Sequence, residues 1–135
     1  MDHERTCLII EDDDDIGGLI KLVLSKLGLE PHVATSGAEG LRLVPAIDPA
    51  LITLDLGLPD SDGAMLIHAL KNVSKAPVIV VSARPVHLPT STRTAAVADA
   101  YVEKPFSPRE LRAVASALLD PGGTPPLPTT LRATG

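Results

Sequence analysis

The chain has 135 residues, 44 % of them hydrophobic, and a formal net charge of -5. This length suits one domain with one core, and an acidic balance without a Lys/Arg cluster excludes direct nucleic-acid binding, because neutralising phosphates requires a basic face. Cys7 is the only cysteine, so no intramolecular disulfide forms, and no apolar run approaches the ~18 residues of a membrane span. Without a signal-like N-terminus, a soluble, cytoplasmic protein with no membrane attachment is predicted.

The first half of the chain alternates short apolar runs with stretches of helical periodicity. Strands are predicted at residues 7–10, 31–35 and 51–55. Apolar residues at helical spacing from Ile16 to a stop at Gly28 predict the first helix. A capping-box pattern at Ser36 predicts a second helix that ends near Pro45.

The second half continues the alternation. It predicts a helix at 64–72, a strand at 78–81, a short helix that begins only near Thr90, a strand at 100–103 and a helix from Ser107. Five such units predict an α/β fold with a doubly wound parallel sheet and helices on both of its faces. Residues 121–135 are rich in Pro, Gly and Thr without periodicity, so we expect a domain over 1–120 and a disordered tail.

Polar side chains follow four of the predicted strands. They are Glu11 and Asp12 after the first strand, Asp55 after the third, Ser82 after the fourth and Lys104 after the fifth. The carboxyl ends of parallel strands lie on one edge of a sheet, so these groups are expected to converge. Carboxylates that approach one another need a shared proton or a hard divalent cation, which indicates a Mg²⁺ site.

The remaining groups at this edge suit phosphoryl chemistry. Lys104 offers a positive charge and Ser82 a hydroxyl donor for phosphoryl oxygens. With Asp55 as the nucleophile, the product would be an acyl phosphate.

Four motifs occur in a recognisable order. These are Glu11-Asp12 after the first strand, Asp55 within LDLGLPDSDG, Ser82-Ala83 after the fourth strand, and Tyr101 followed by Lys104-Pro105-Phe106. With them the chain resembles a response-regulator receiver domain of two-component signalling, over residues 6 to about 120. The resemblance implies a flavodoxin-like sheet of five strands in the order 2-1-3-4-5.

The resemblance also implies roles for individual residues. Asp55 would accept a phosphoryl group from a histidine kinase or phosphotransfer protein, and Ser82 and Lys104 would hold the phosphoryl oxygens. Asp12, Asp55 and the Gly57 carbonyl would bind Mg²⁺, with Glu11 acting mainly through water. Ser82 and Tyr101 would form the switch that changes binding of a downstream protein, on the face built by the fourth helix, the last strand and the last helix. The Lys104-Pro105 bond would be cis, and the domain would be a monomer or a weak phosphorylation-dependent dimer.

Two stretches depart from the family pattern. The acidic run continues through Asp13, Asp14 and Asp15, so a metal-binding pair one residue later, at Asp12-Asp13, is the alternative register. Acids at a helix start otherwise act as caps and stabilise the helix dipole. The Pro-rich segment at 84–90 is also unusual, and it leaves the output surface open.

Three alternatives to an independent phosphoacceptor switch follow from the sequence. A phosphatase of the haloacid-dehalogenase type also uses an Asp nucleophile with Mg²⁺, but it requires a second Asp two residues later, where this chain has Gly57. We therefore expect no enzymatic activity beyond self-phosphorylation and self-dephosphorylation. An inactive scaffold is disfavoured by the intact set of Asp12, Asp55, Ser82 and Lys104. A fragment of a longer regulator is the third alternative.

Overall fold

The computed structural model describes residues 5–58, 62–83 and 98–119. These contain five strands and four helices, here numbered in chain order. They are β1 (Thr6–Ile10), α1 (Asp14–Ser25), β2 (Glu30–Ala34), α2 (Gly37–Ile47), β3 (Leu51–Asp55), α3 (Gly63–Val73), β4 (Val78–Ser82), β5 (Ala100–Glu103) and α4 (Pro108–Leu119). None of the helices in the described part of the chain is long and apolar enough to cross a membrane.

The five strands form one parallel sheet in the order β2-β1-β3-β4-β5, which confirms the predicted fold. Every residue of β3 and β4 is buried. Two layers of aliphatic side chains cover the sheet, because helices pack on both of its faces. The layer under α2 and α3 is built around Leu54 and Val80, and the layer under α1 and α4 around Ile9 and Val102.

Side-chain alternation decides which strand residues reach the functional edge together. Successive residues of a strand point to opposite faces of the sheet. Ile9 in β1 pairs with Thr53 in β3, and each is followed two positions later by an acid, Glu11 and Asp55. Both acids therefore lie at the carboxyl edge on the side covered by α1 and α4.

The ends of two helices differ from the predicted ends. The first helix begins at Asp14, two residues earlier than expected, because the Asp13 side chain accepts the Ile16 N–H and caps it. The second helix was predicted to end near Pro45, which is wrong: it runs to Ile47 with the proline in its last turn. Proline there removes only one helical N–H, and Asp48 closes the helix in a left-handed conformation, with φ of 47° and its N–H bonded to the Val44 carbonyl at 2.8 Å.

Several predictions fall outside the described residues. They are the short helix near Thr90, the character of the Pro-rich segment at 84–90 and the tail at 121–135. The output face was predicted to include that short helix, so only its β5 and α4 parts can be described.

Candidate functional site

Three strand ends bring together the charged side chains that the sequence analysis expected at one edge of the sheet. Glu11 directly follows β1, Asp55 is the last residue of β3 and Lys104 directly follows β5. Glu11 and Asp55 are only 2 % and 7 % exposed, whereas Asp12 is exposed to solvent. The site therefore has a buried floor of two carboxylates and an open side at Asp12.

Glu11, Asp12 and Asp55 form a compact group of oxygen ligands. One carboxylate oxygen from each lies within 4.8 Å of the others. Asp13 is the N-cap of α1 and Asp14 is its first residue, and neither belongs to this group. The arrangement corresponds to the predicted register, Glu11-Asp12, rather than the alternative Asp12-Asp13.

The group fits a hard divalent cation. All of its ligands are oxygens, which is the donor type that Mg²⁺ prefers. Glu11 Oε1 is buried and accepts no hydrogen bond, so it keeps its lone pairs available. Asp12 leaves the group open to solvent on one side, which suits an ion that retains several of its waters.

Lys104 lies between the two buried acids. Its Nζ is 3.2 Å from Glu11 Oε1 and 3.5 Å from Asp55 Oδ2. The contact of Lys104 with Glu11 Oε1 is an ion pair without hydrogen-bond geometry. Lys104 Nζ donates a weak hydrogen bond to the other oxygen, Glu11 Oε2, at 3.5 Å. One ammonium therefore compensates two carboxylates, and a net negative charge remains.

The surplus of acid changes the protonation of Glu11. Burial raises the pKa of Glu11 to about 7, Asp55 adds to the rise, and Lys104 opposes it. Near neutral pH this carboxyl is therefore partly protonated, and a bound cation would favour its ionised form.

Asp55 is held by the turn that follows it. Its Oδ1 accepts the Gly57 N–H at 2.8 Å, while its Oδ2 is the oxygen nearest Lys104. A side chain at position 57 would approach Oδ1, since a Cβ there would lie 3.4 Å from it. The metal-binding role of the Gly57 carbonyl stays a prediction.

Ser82 and Lys104 are joined through their backbones. The Lys104 N–H donates to the Ser82 carbonyl at 2.7 Å, which extends the β4–β5 pairing to the functional edge. Ser82 is buried. The Lys104-Pro105 bond is cis, as expected.

Tyr101 lies on the other face of β5. Its half-buried ring packs against the layer under α2 and α3, whereas Val102 packs under α1 and α4. Burial raises the pKa of the Tyr101 phenol, and the nearby Asp99 carboxylate adds to the effect. The ring therefore points away from the acidic site.

Glu11 makes a contact that the sequence analysis did not predict, since it forms the shorter of the two ion pairs with Lys104. Its expected action on Mg²⁺ mainly through water stays a prediction. Gly17 of α1 also covers its aliphatic stem, because a Cβ at that position would be 3.7 Å from Glu11 Cγ. The available signal was its position directly after β1, in register with Asp55.

The chain is similar in sequence to known proteins. Residues 7–116 match the family described as response regulator receiver domain. The chain is 36 % identical over 112 residues to the transcriptional regulatory protein SrrA of Staphylococcus aureus, an alignment that covers 83 % of this chain and 46 % of SrrA. The chain thus spans about half the length of the curated relatives it matches.

Solved structures show the same architecture. The receiver domain protein (CheY-like) from Methanospirillum hungatei superposes with a TM-score of 0.79 at 31 % identity, covering 88 % of this chain and 96 % of that one. The Francisella response regulator 1452 receiver domain gives a TM-score of 0.76 at 29 % identity, covering 88 % and 99 %.

Proposed function

Because this chain belongs to the response regulator receiver domain family, we propose that it takes up a phosphoryl group on Asp55 and changes its binding to a protein partner in response. The observation that carries this proposal is the position of Lys104, whose Nζ is 3.5 Å from Asp55 Oδ2. Asp55 is itself part of the acidic group with Glu11 and Asp12. A nucleophilic carboxylate next to a fixed cation suits the transfer of an anionic phosphoryl group.

The phosphoryl donor we propose is a phosphohistidine of a histidine kinase or phosphotransfer protein. A carboxylate oxygen of Asp55 forms a bond to phosphorus while the phosphorus–nitrogen bond of the donor breaks, and the electron pair remains on the imidazole nitrogen. The product is an acyl phosphate, which water later hydrolyses to phosphate and free Asp55.

The residues of this chain prepare that transfer. Gly57 fixes one oxygen of Asp55 through its N–H, which orients the carboxylate. Lys104 is placed to bind a phosphoryl oxygen, and Ser82 at the end of β4 supplies a hydroxyl for another. When bound by Glu11, Asp12 and Asp55, Mg²⁺ would supply charge neutralisation for the approaching phosphoryl group.

Read-out through Ser82 and Tyr101 is part of the same proposal. Ser82 ends β4 at the acidic site, and Tyr101 in the neighbouring strand packs on the opposite face. The Tyr101 ring would have two packing states, and movement of Ser82 towards a phosphoryl oxygen would shift the population from one state to the other.

Intact-mass spectrometry after incubation with acetyl phosphate and Mg²⁺ tests the function. We expect one added phosphoryl group, which does not form when a chelator is present from the start of the incubation and is absent from Asp55→Asn. Asp62→Asn is the matched control, because Asp62 is a nearby acid that only caps α3. Undiminished labelling of Asp55→Asn would overturn the assignment.

Phosphate release from phosphate esters separates a phosphatase from a switch. A haloacid-dehalogenase-type enzyme would hydrolyse such esters with repeated turnover. We propose that this chain does not, because Gly57 offers a backbone N–H to Asp55 but no acid for a leaving group.

A further inference from the structure

The outer side of α1 carries a line of four residues with opposite charges at its ends. Asp15, Leu19, Leu22 and Lys26 follow one another at intervals of four, three and four, which places them on one stripe of a helix. Lys26 is the C-cap of α1 and keeps a right-handed helical backbone, so the stripe is continuous. Leu22 is 55 % exposed although it is a large aliphatic side chain.

This stripe borders a groove between α1 and α4. The groove has a volume of about 330 Å³ and is lined by Leu19, Leu22, Val23 and Lys26 of α1 and by Pro108, Arg109 and Arg112 of α4. Its floor is apolar, and its only charged lining residues are three cations. Within the part of the chain that the structure describes, none of these cations forms an ion pair.

The acids that would complement this groove lie at the other end of the same helix. Asp14 and Asp15 lie in the first turn of α1, and the positive charge at its other end comes from the C-cap Lys26. The helix is therefore acidic at one end and basic at the other, with exposed aliphatic carbon between them. Such a surface is complementary to its own antiparallel copy.

We propose that two copies of this chain associate through antiparallel α1 helices, around a two-fold axis between Leu19 and Leu22. Reversing the stripe sets Asp15 opposite the partner's Lys26 and Leu19 opposite the partner's Leu22, and the symmetry repeats both contacts. The exposed Leu22 side chain is covered, and the acidic end of each α1 meets the basic groove of the other copy.

The charge order excludes the parallel alternative, because a parallel pair would set each Lys26 against the partner's Lys26. The antiparallel contact spans 12 residues from Asp15 to Lys26, or about 16 Å of helix. A contact of one helix face is smaller than the ~1,200 Å² at which stable interfaces begin. The dimer is therefore weak and concentration-dependent, and because none of the four stripe residues belongs to the Glu11, Asp12 and Asp55 group it forms in the unphosphorylated chain.

Sedimentation velocity of the full 135-residue chain, from micromolar to millimolar concentration, tests this surface. The unphosphorylated protein should shift from monomer to dimer, and Leu22→Glu should remain monomeric throughout. Asp15→Lys and Lys26→Glu should each raise the dissociation constant about tenfold or more, since each places like charges at both ends.

Mixing the two charge variants gives the sharpest result. Asp15→Lys has two lysines and Lys26→Glu has two acids at the contact, so a mixture should form a heterodimer although each variant alone does not. Lys21→Glu is the matched control: Lys21 is exposed on α1 but lies off the stripe and outside the groove. Thermal unfolding of every variant checks that the fold is retained.

Three results would overturn the proposal. They are a monomeric unphosphorylated protein at millimolar concentration, no association in the mixture of charge variants, and a loss of dimer in Lys21→Glu as large as in Lys26→Glu. The last result would mean that net charge or another surface controls association.

Discussion

Lys104 is held closer to Glu11 than to Asp55: its Nζ lies 3.2 Å from Glu11 Oε1 and 3.5 Å from Asp55 Oδ2. Glu11 follows β1 and Lys104 follows β5, which are the first and last strands in chain order. The side chain of Lys104 is only 13 % exposed. Glu11 thus anchors the lysine while Asp55 keeps a carboxylate that is only partly neutralised. Because Lys104 is shared in this way, Asp55, the proposed nucleophile, is available for a phosphoryl group.

Removing the lysine should destabilise the Mg²⁺-free protein. Lys104→Met leaves Glu11, Asp12 and Asp55 without a cation, and we expect a loss of roughly 3 kcal/mol in the free energy of unfolding. Saturating Mg²⁺ should recover most of this loss, since it supplies the missing charge. Urea denaturation with and without Mg²⁺ measures both effects. An equal loss under both conditions would indicate a packing effect instead.

The two neighbouring acids Asp12 and Asp14 should differ in their effect on Mg²⁺ affinity. Asp12 contributes an oxygen to the group at the site, whereas Asp14 is the first residue of α1. We expect Asp12→Ala to weaken Mg²⁺ binding at least tenfold, about 1.4 kcal/mol, and Asp14→Ala to change it little. Calorimetric titration with Mg²⁺ compares them. Equal affinities in the two variants would contradict the Glu11-Asp12 register.

Two helical glycines should respond oppositely to alanine. A Cβ on Gly18 meets nothing within 4 Å, so Gly18→Ala should stabilise the protein by about 0.5–1 kcal/mol through helix propensity. A Cβ on Gly40 would lie 2.5 Å from Cδ1 of the fully buried Ile10, so Gly40→Ala should destabilise by about 1–3 kcal/mol. Thermal unfolding of both variants measures the difference in sign, and a stabilised Gly40→Ala would contradict the close packing of α2 on β1.

The thiol of Cys7 should be inert in the folded protein. Burial raises the pKa of Cys7 from 9.0 to about 12. The unfolded chain loses this proton near pH 9 while the folded chain retains it, so the contribution to stability is complete below pH 9 and is lost as pH rises towards 12. A thiol-specific reagent at pH 8 should label Cys7 in urea but not in buffer. Comparable labelling rates in urea and in buffer would mean that β1 opens readily.

The variant Cys7→Ser tests the effect on stability. It should remove the part of the alkaline loss of stability that comes from the thiol.

Asp99 should matter more for stability than its salt-bridge partner Lys71. The Asp99 carboxylate accepts the Val78 N–H at 2.8 Å and pairs with Lys71 Nζ at 2.7 Å. Asp99→Ala leaves the Val78 N–H without an acceptor and should cost about 2 kcal/mol. Lys71→Met breaks a partly exposed pair and a long hydrogen bond to the Ala76 carbonyl, and should cost less than about 1 kcal/mol. Asp99→Asn, which retains a side-chain acceptor, is the control. Chemical denaturation ranks the three variants, and equal losses in Asp99→Ala and Lys71→Met would assign the effect to the ion pair.

The order of the described strands and helices, and the convergence of the acids and the lysine at one edge, could be predicted from the sequence alone. Hydrophobic runs, capping residues and the polar residues after strands are local signals, and they led to a parallel sheet with its acids at one edge. The strand order came from the family resemblance, since periodicity does not state which strands are neighbours. Helix ends were less certain, as Pro45 shows, because a single missing N–H near the end of a helix is tolerated.

Only the tertiary structure decided how the acids share their one lysine. Glu11 and Lys104 are 93 residues apart in the chain, and their 3.2 Å approach depends on the register of β1, β3, β4 and β5 together. A distance of this kind results from the packing of whole strands and from the cover that Gly17 provides over the Glu11 stem. No local pattern encodes it, because sequence periodicity sets the face on which a side chain lies, whereas the packing of the sheet sets which charges meet there.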